Sequence, residues 1–361
     1  MKIVNSLLLA TVAIAMVACG SGKKQQSTLS LAGAGGTFPL PYYTLAFKTY
    51  QDSNNVNVTY GGIGSGGGIR SLKDQVVDFG ASDAFLSDKE MATMSPVIHI
   101  PTCMGAVVLA YNLPQVKNLK LTGDIIADIY LGKITKWNDP KIKAINAGTV
   151  FPNKKIIPVY RSDGSGTTYI FSDFMSKVSP EWKNSIGTGK SLKWSVGMAS
   201  KGNPGVAGTI MQTDGAFGYV GSEYAFAQKI AYAQIKNALG EFVVPNTESI
   251  SKAALGDMPA DTRCMITNSS APGAYPISCF TWILIYKEQY YKNRTMQQAQ
   301  GTVNLIHWML GPEAQGMTEK VNYVPLPAKV IANAEAQLAE VTYKGRLLTV
   351  GSKAKSAALT K

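Results

Sequence analysis

Along the chain, short apolar runs alternate with stretches whose apolar positions recur at helical spacing, and no repeat or low-complexity block interrupts them. The runs "LSLAGAG" (29–35), "VVDFGASD" (76–83), "GAVVLAYN" (105–112) and "KIIPVYRS" (155–162) read as strands. The stretch "GDIIADIYL" (123–131) reads as a helix: Ile125, Ile126, Ile129 and Tyr130 fall on one face, Thr122 is placed to cap its start, and Gly132 stops it. Strands and helices in alternation predict an α/β protein. His99 lies in the strand-like "PVIHIP" and His307 in the helical "VNLIHWML", so both read as packed structural residues.

The first residues depart from this pattern. "MKIVNSLLLATVAIAMVAC" has one cation, Lys2, then an apolar run from Leu7 to Val17, then small residues ahead of Cys19, the layout of a secretory signal peptide. Removal of residues 1–18 leaves 343 residues, enough for two ordinary domains. Met16-Val17-Ala18-Cys19 resembles the lipobox of bacterial lipoproteins, in which the cysteine receives the lipid. The polar "GSGKKQQS" after it reads as a flexible tether, so residues 19–28 are expected to hang the protein from a membrane in an extracytoplasmic space. No later segment is long and apolar enough to span one. The formal net charge of +12 invites a nucleic-acid reading, but its distribution argues against it. Lys2, Lys23 and Lys24 sit in the signal and tether, and Lys344, Arg346, Lys353, Lys355 and Lys361 in an acid-free end whose last part, 346–361, reads as a basic tail. Residues 25–343 keep only +4, with no basic run interleaved with aromatics, and nucleic acid is not an expected partner.

Three strand-to-helix turns share one chemistry. "AGAGGTFPLPYY" leaves Thr37 and Phe38 at the mouth of a helix that starts near Pro41; "GGIGSGGGIRSLKD" presents Ser65 among glycines; "RSDGSGTT" (161–168) sets Arg161 ahead of three hydroxyls. Each turn alone is an ordinary helix cap. Together they predict N–H groups and hydroxyls converging on one anion, with Arg161 as the planar charge. Competing motifs fail on spacing: neither glycine run supplies a P-loop lysine, and the glycines of 61–68 lack an acidic partner at dinucleotide-binding distance. Ser65 has Ile63 two residues before it, and Ser165 has Asp163 before and Thr167 after, so neither sits in a nucleophile elbow. Two distant histidines and no cysteine pair at ligand spacing predict neither metal nor cofactor.

"AGAGGTFPLP", "GIGSGGGI", "VDFGASDA", "ADIYLGKITKWND", "RSDGSGTT" and "GAFGYV", taken in order from Leu29 to Tyr343, resemble the periplasmic phosphate-binding proteins, the substrate-binding lipoproteins of ABC phosphate transporters. The resemblance implies a two-lobed α/β periplasmic-binding-protein fold, with hinge strands and the ligand cleft between the lobes. Crossings near 111 and 280 would put 29–111 plus 280–345 in lobe I and 112–279 in lobe II. It further implies a phosphate ligand set of Thr37, Phe38, Ser65, Asp83, Arg161, Ser165, Gly166 and Thr167, with Asp163 holding Arg161. Inorganic phosphate and the membrane permease of an ABC phosphate transporter would be the partners, and a monomer without catalytic activity is expected. One departure is Phe85, where the family commonly has proline. Two other readings stay open: a binder for another tetrahedral oxyanion such as sulfate, which should lack an acid at position 83, and a phosphatase on the same scaffold, which would need a nucleophile, base or metals.

With Cys19 given to the lipid, Cys103, Cys264 and Cys279 remain. Cys264 and Cys279 flank the turn-rich "MITNSSAPGAYPIS", which suggests a disulfide between them in an oxidising space, two free thiols being the alternative. Cys103, in "IPTCMGAVVL", reads as core.

Overall fold

A computed structural model describes residues 29–351; the signal peptide, Cys19 with its tether, and the tail beyond 351 lie outside the described residues. The first half of the chain runs β1 (Leu29–Gly35), α1 (Leu40–Asn54), β2 (Val56–Gly62), α2 (Ser65–Lys73), β3 (Phe79–Ser82), α3 (Asp88–Met91), β4 (Val97–Tyr111), β5 (Lys120–Leu121), α4 (Gly123–Tyr130), α5 (Pro140–Ala144), β6 (Ile157–Arg161) and α6 (Gly166–Val178). There follow α7 (Pro180–Ser185), β7 (Met198–Ser200), α8 (Gly202–Gln212), β8 (Ala216–Gly221), α9 (Ser222–Ala227), β9 (Ala231–Tyr232), β10 (Gln234–Lys236), β11 (Phe242–Val243), α10 (Thr247–Lys252), β12 (Ser278–Tyr286) and α11 (Met296–Leu310). Two further helices, α12 (Pro312–Gln315) and α13 (Ala328–Leu338), close the fold.

The main sheet runs β2-β1-β3-β12-β4-β8-β6-β7, and β4 joins its two halves. All 15 residues of β4 are buried, which suits a near-continuous apolar run that no face exposes to water. From Val97 to Ala106 it pairs antiparallel with β12, and from Val107 to Tyr111 with β8. The chain therefore changes partner at Ala106/Val107, inside the stretch expected for lobe I. β12 is buried throughout and begins its pairing at Ser278. Around this pair stand two α/β lobes. One carries β1, β2 and β3 in parallel register with one another, and the other carries β6 parallel to β7 and to β8. Residues 257–264, counted with lobe II in the sequence reading, pack on lobe I: Arg263 pairs with Asp88, the Thr262 hydroxyl donates to His99 O, and Asn333 donates to Pro259 O.

Aromatic stacking fixes each lobe. On α1, Tyr42, Tyr43, Ala46, Phe47 and Tyr50 are buried at helical spacing, and Phe47 meets Phe79 of β3 at 5.7 Å between ring centres. In the other lobe Tyr219 of β8 stacks on Phe171 of α6 at 4.4 Å, and Tyr130 of α4 meets Phe171 at 5.3 Å. Rings of this size bury enough apolar area to lock the helices that start at the cleft.

Several local expectations change. Only Phe79–Ser82 of "VVDFGASD" is strand. Gln75 adopts a positive φ, Val76 is exposed, and the Asp78 carboxylate accepts Ala32 N–H while pairing with buried Arg294. A side chain thus takes the donor that a strand partner would have used. "PVIHIP" and "GAVVLAYN" are one strand, β4, whose register against β12 shifts between Thr281 and Trp282; Trp282 faces Pro101, which has no N–H for a regular ladder. Thr122 occupies the N-cap of α4 with an extended backbone, but its side chain makes no capping bond. The expected disulfide is corrected as well: Cys264 and Cys279 are both free. Cys264 Sγ rests 3.4 Å from Met258 Sδ, whereas Cys279 is buried in β12 with its thiol donating to Gly105 O at 3.6 Å. The intervening loop crosses from one lobe's flank to the other and does not return the two sulfurs to one place.

Candidate functional site

Helices α1, α2, α6 and α8 all begin at the line where the lobes meet. Each offers first-turn N–H groups without intrahelical partners and the positive end of its dipole. The α1 mouth is held by the Phe38 ring, which packs edge-on to Tyr323 at 5.9 Å while Phe38 O accepts the Tyr323 hydroxyl. The preceding Thr37 is tied across the cleft: Tyr224 donates to Thr37 O at 2.6 Å, and Asn203 N–H donates to Thr37 Oγ1 at 3.0 Å. Ser65 opens α2, where Gly64 takes φ +86° and allows the close turn. Ser165 caps α6, its hydroxyl accepting Thr168 N–H at 3.0 Å, as an N-cap serine does.

Asp83 directly follows β3 and is buried. One carboxylate oxygen accepts the Thr281 hydroxyl of β12 at 2.8 Å, and the other lies 3.4 Å from Ser65 Oγ. The two lobes meet on it so closely that a Cβ at Gly166 would sit 2.6 Å from Asp83 Oδ2 and 2.5 Å from Ser65 Oγ. Burial pushes the Asp83 pKa up to about 6, opposed by the Thr281 bond, the Arg161 charge and the Ser65 hydroxyl; near pH 7 the group is mostly ionised.

Arg161 ends β6 and is buried, its backbone N–H donating to Tyr219 Oη at 3.0 Å. Its guanidinium forks onto Asp163, Nε to Oδ1 at 2.8 Å and Nη2 to Oδ2 at 2.5 Å, while Nη1 donates to Thr167 Oγ1 at 3.2 Å. Burial works against the Asp163 charge, but Arg161 and the Gly202 N–H hold its carboxyl below the usual range. Arg161 and Asp163 nearly cancel, so what the site offers is mainly hydroxyls, N–H groups and helix dipoles rather than net charge.

The structure brings Thr37, Phe38, Ser65, Asp83, Arg161, Asp163, Ser165, Gly166 and Thr167 to one place from both lobes. Sequence reasoning missed Asn203. Its Nδ2 donates to Thr37 Oγ1 and Thr167 Oγ1, and its Oδ1 accepts Gly221 N–H. The signal was present in "SKGNPG", a fourth glycine-rich strand-to-helix turn, where Gly202 takes φ +68°. It also missed Tyr219, Thr281 and Glu223. Glu223 is buried against Gly221, with neither carboxyl oxygen bonded to another residue among those described, and burial pushes its pKa well above the usual carboxylate range. The histidines stand outside the site. His99 Nε2 accepts Leu86 N–H at 3.0 Å and is held neutral, its pKa lowered to about 3 chiefly by burial, while His307 pairs with Glu335 at 2.8 Å.

Comparison with known proteins places this geometry in context. The profile described as "PBP superfamily domain" matches residues 21–313. The phosphate-binding protein PstS of Xylella fastidiosa (strain Temecula1) is 38% identical over 318 residues, covering 87% of this chain and 86% of that protein. The phosphate-binding protein PstS of Haemophilus influenzae is 38% identical over 316 residues, covering 85% and 92%. In fold, the chain is similar to the phosphate-binding protein of Stenotrophomonas maltophilia, with a TM-score of 0.65 at 19% identity over 85% of this chain and 93% of that one.

The raised pKa of Asp83 has a measurable consequence in ligand-free protein. Between pH 4 and 6 the folded state holds the Asp83 proton more tightly than the unfolded state, so this group's contribution to stability falls as pH rises through that window and is level above it. The shift from 3.8 to about 6 corresponds to about 3 kcal/mol. Urea unfolding of anion-free protein should therefore show Asp83→Asn gaining on wild type by up to that amount between pH 4 and 7. Parallel stability curves would mean that Asp83 ionises as freely in the folded protein as in the unfolded chain.

Proposed function

This chain belongs to the PBP superfamily and, within it, to the phosphate-binding PstS family, and from that membership we propose that it captures inorganic phosphate between its lobes and delivers it to an ABC-type importer. The observation that carries the ligand assignment is Asp83, a carboxylate at the centre of a site otherwise built of donors. Phosphate near neutral pH keeps at least one proton, which an ionised Asp83 accepts in a short charge-assisted hydrogen bond. Sulfate has none to give, and its oxygens would face carboxylate lone pairs in a dry pocket, a cost on the order of several kcal/mol.

In this reading, Ser65, Ser165 and Thr167 with the Thr37 hydroxyl and the N–H groups of Phe38, Gly166 and Thr167 replace the anion's hydration. Arg161, aimed by Asp163, supplies two parallel donors, and Asn203 ties Thr37 of one lobe to Thr167 of the other. Division of the chain into 29–111 plus 280–345 and 112–279, with residues 257–264 packed on the first of these lobes, belongs to the same proposal, with the anion bridging the lobes and favouring their closed arrangement. So do the monomeric state and an extracytoplasmic position on a lipid at Cys19. The protein acts as a binder rather than an enzyme: its anion contacts are hydroxyls, amides and one guanidinium, and its two histidines serve packing and a surface pair.

Competition calorimetry tests the assignment. Phosphate and arsenate should compete for one site, sulfate in large excess should not, and Asp83→Asn should narrow the phosphate-to-sulfate gap. Wild-type protein that binds sulfate as well as phosphate would overturn both the ligand and the role of Asp83. In the same assay Arg161→Lys, which keeps the charge and loses the fork, should weaken phosphate binding more than tenfold, about 1.4 kcal/mol. Unchanged affinity would remove Arg161 from the site.

A further inference from the structure

Above the oxyanion site, one charged contact joins the segment that follows Asp83 to the segment that supports Ser165. Lys190 Nζ lies 2.8 Å from Glu90 Oε1, the lysine side chain being 19% exposed and the glutamate 36%. Both partners are held before they meet. Glu90 divides its carboxylate: Oε2 accepts the Ser87 N–H and the Ser87 hydroxyl, each at 2.9 Å, closing a capping box on α3 and leaving Oε1 for the lysine. The segment beneath is pinned in turn, since Leu86 N–H donates to His99, Leu86 O accepts from Arg263, and Arg263 pairs with Asp88. On the other lobe, Lys190 Nζ lies 5.7 Å from the centre of the Tyr169 ring, and Lys190 O accepts the Ser165 N–H at 2.8 Å.

We infer that Glu90 and Lys190 form a latch between the lobes that sets how fast the bound anion leaves, without touching the anion itself. The inference rests on the phosphate-binding reading. The ion pair forms only when the Asp83 segment and the Ser165 segment are brought together, which is the movement that encloses the ligand. Fixed geometry at both ends lowers the side-chain entropy that makes ordinary surface pairs nearly worthless. The latch therefore slows opening and leaves encounter with the ligand unchanged, so its effect falls on the dissociation rate. Because both groups remain partly exposed, added salt weakens it. Close to the contact, Gly66 N–H donates to Gly164 O at 2.8 Å, a backbone bond across the same seam that no side-chain substitution removes.

The test is release of radiolabelled phosphate from the mature protein, chased with excess unlabelled phosphate. The variants are Lys190→Met, which keeps the aliphatic stem on Tyr169; Glu90→Gln, which keeps an acceptor for the Ser87 cap; their double variant; and Lys190→Arg. At low ionic strength each charge-removing variant should release phosphate three- to tenfold faster than wild type, with an association rate within twofold. The double variant should be no faster than the singles, Lys190→Arg should stay near wild type, and high salt should bring wild type toward the variants. Phosphate-over-sulfate preference should not move, since neither residue contacts the anion. Release rates within twofold of wild type, or single effects that multiply in the double variant, would overturn the latch while phosphate binding stands. Wild-type protein that binds no phosphate would overturn both readings.

Discussion

A buried carboxylate among hydroxyl and N–H donors is the constraint on which the rest of this structure depends. In the proposed reading Asp83 has to be ionised to accept a proton from phosphate, yet burial alone would neutralise it. Thr281 and Ser65 offset that penalty with hydroxyl donors, and Arg161 adds a nearby positive charge. The opposing helix can approach only because residue 166 lacks a side chain. Replacing Thr281, Ser65 or Arg161 removes a group that holds the Asp83 pKa down. Glu223, buried nearby without a side-chain partner among the described residues, shows the opposite tendency: burial pushes its pKa well above the usual carboxylate range.

Convergence of groups so far apart in sequence is the work of β4 and β12. These buried strands run between the lobes, and the helices that carry the proposed ligand groups start at the ends of strands ordered around them. Thr281 reaches Asp83 because β12 pairs with β3, Trp282 lying opposite Ser82. Arg161 is set by Tyr219, one strand away on β8, which is itself stacked on Phe171 and bonded to the Thr168 hydroxyl at 2.7 Å. Packing in the aromatic core of one lobe thus aims the charge at the cleft.

Legibility of the site in the sequence followed the range of each interaction. Ser65, Arg161, Ser165 and Thr167 stood out because turn glycines, hydroxyls and a guanidinium declare themselves within a few residues. Asp83 did not; no local pattern separates it from a turn-capping aspartate, and only the resemblance pointed to it. Thr281, Tyr219 and Glu223 act through strand neighbours brought together by the sheet, and a reading of local windows has no access to that pairing. Asn203 was readable in its glycine-rich turn "SKGNPG" and was passed over. In the fold, the alternation of strands and helices was plain. The start of β3 and the fate of Cys264 and Cys279 were not, because Arg294 and Asp78 decide the first and the path of a long loop decides the second.

A crystal structure of the wild-type protein grown with phosphate near pH 7 tests the central claim most directly. It should show one phosphate between the lobes, one of its oxygens within about 2.5–2.7 Å of an Asp83 carboxylate oxygen, and the others met by Arg161, Ser65, Ser165 and the start of α6. A phosphate bound away from Asp83, or an Asp83 carboxylate turned wholly to Thr281 with the anion held by Arg161 alone, would contradict the account.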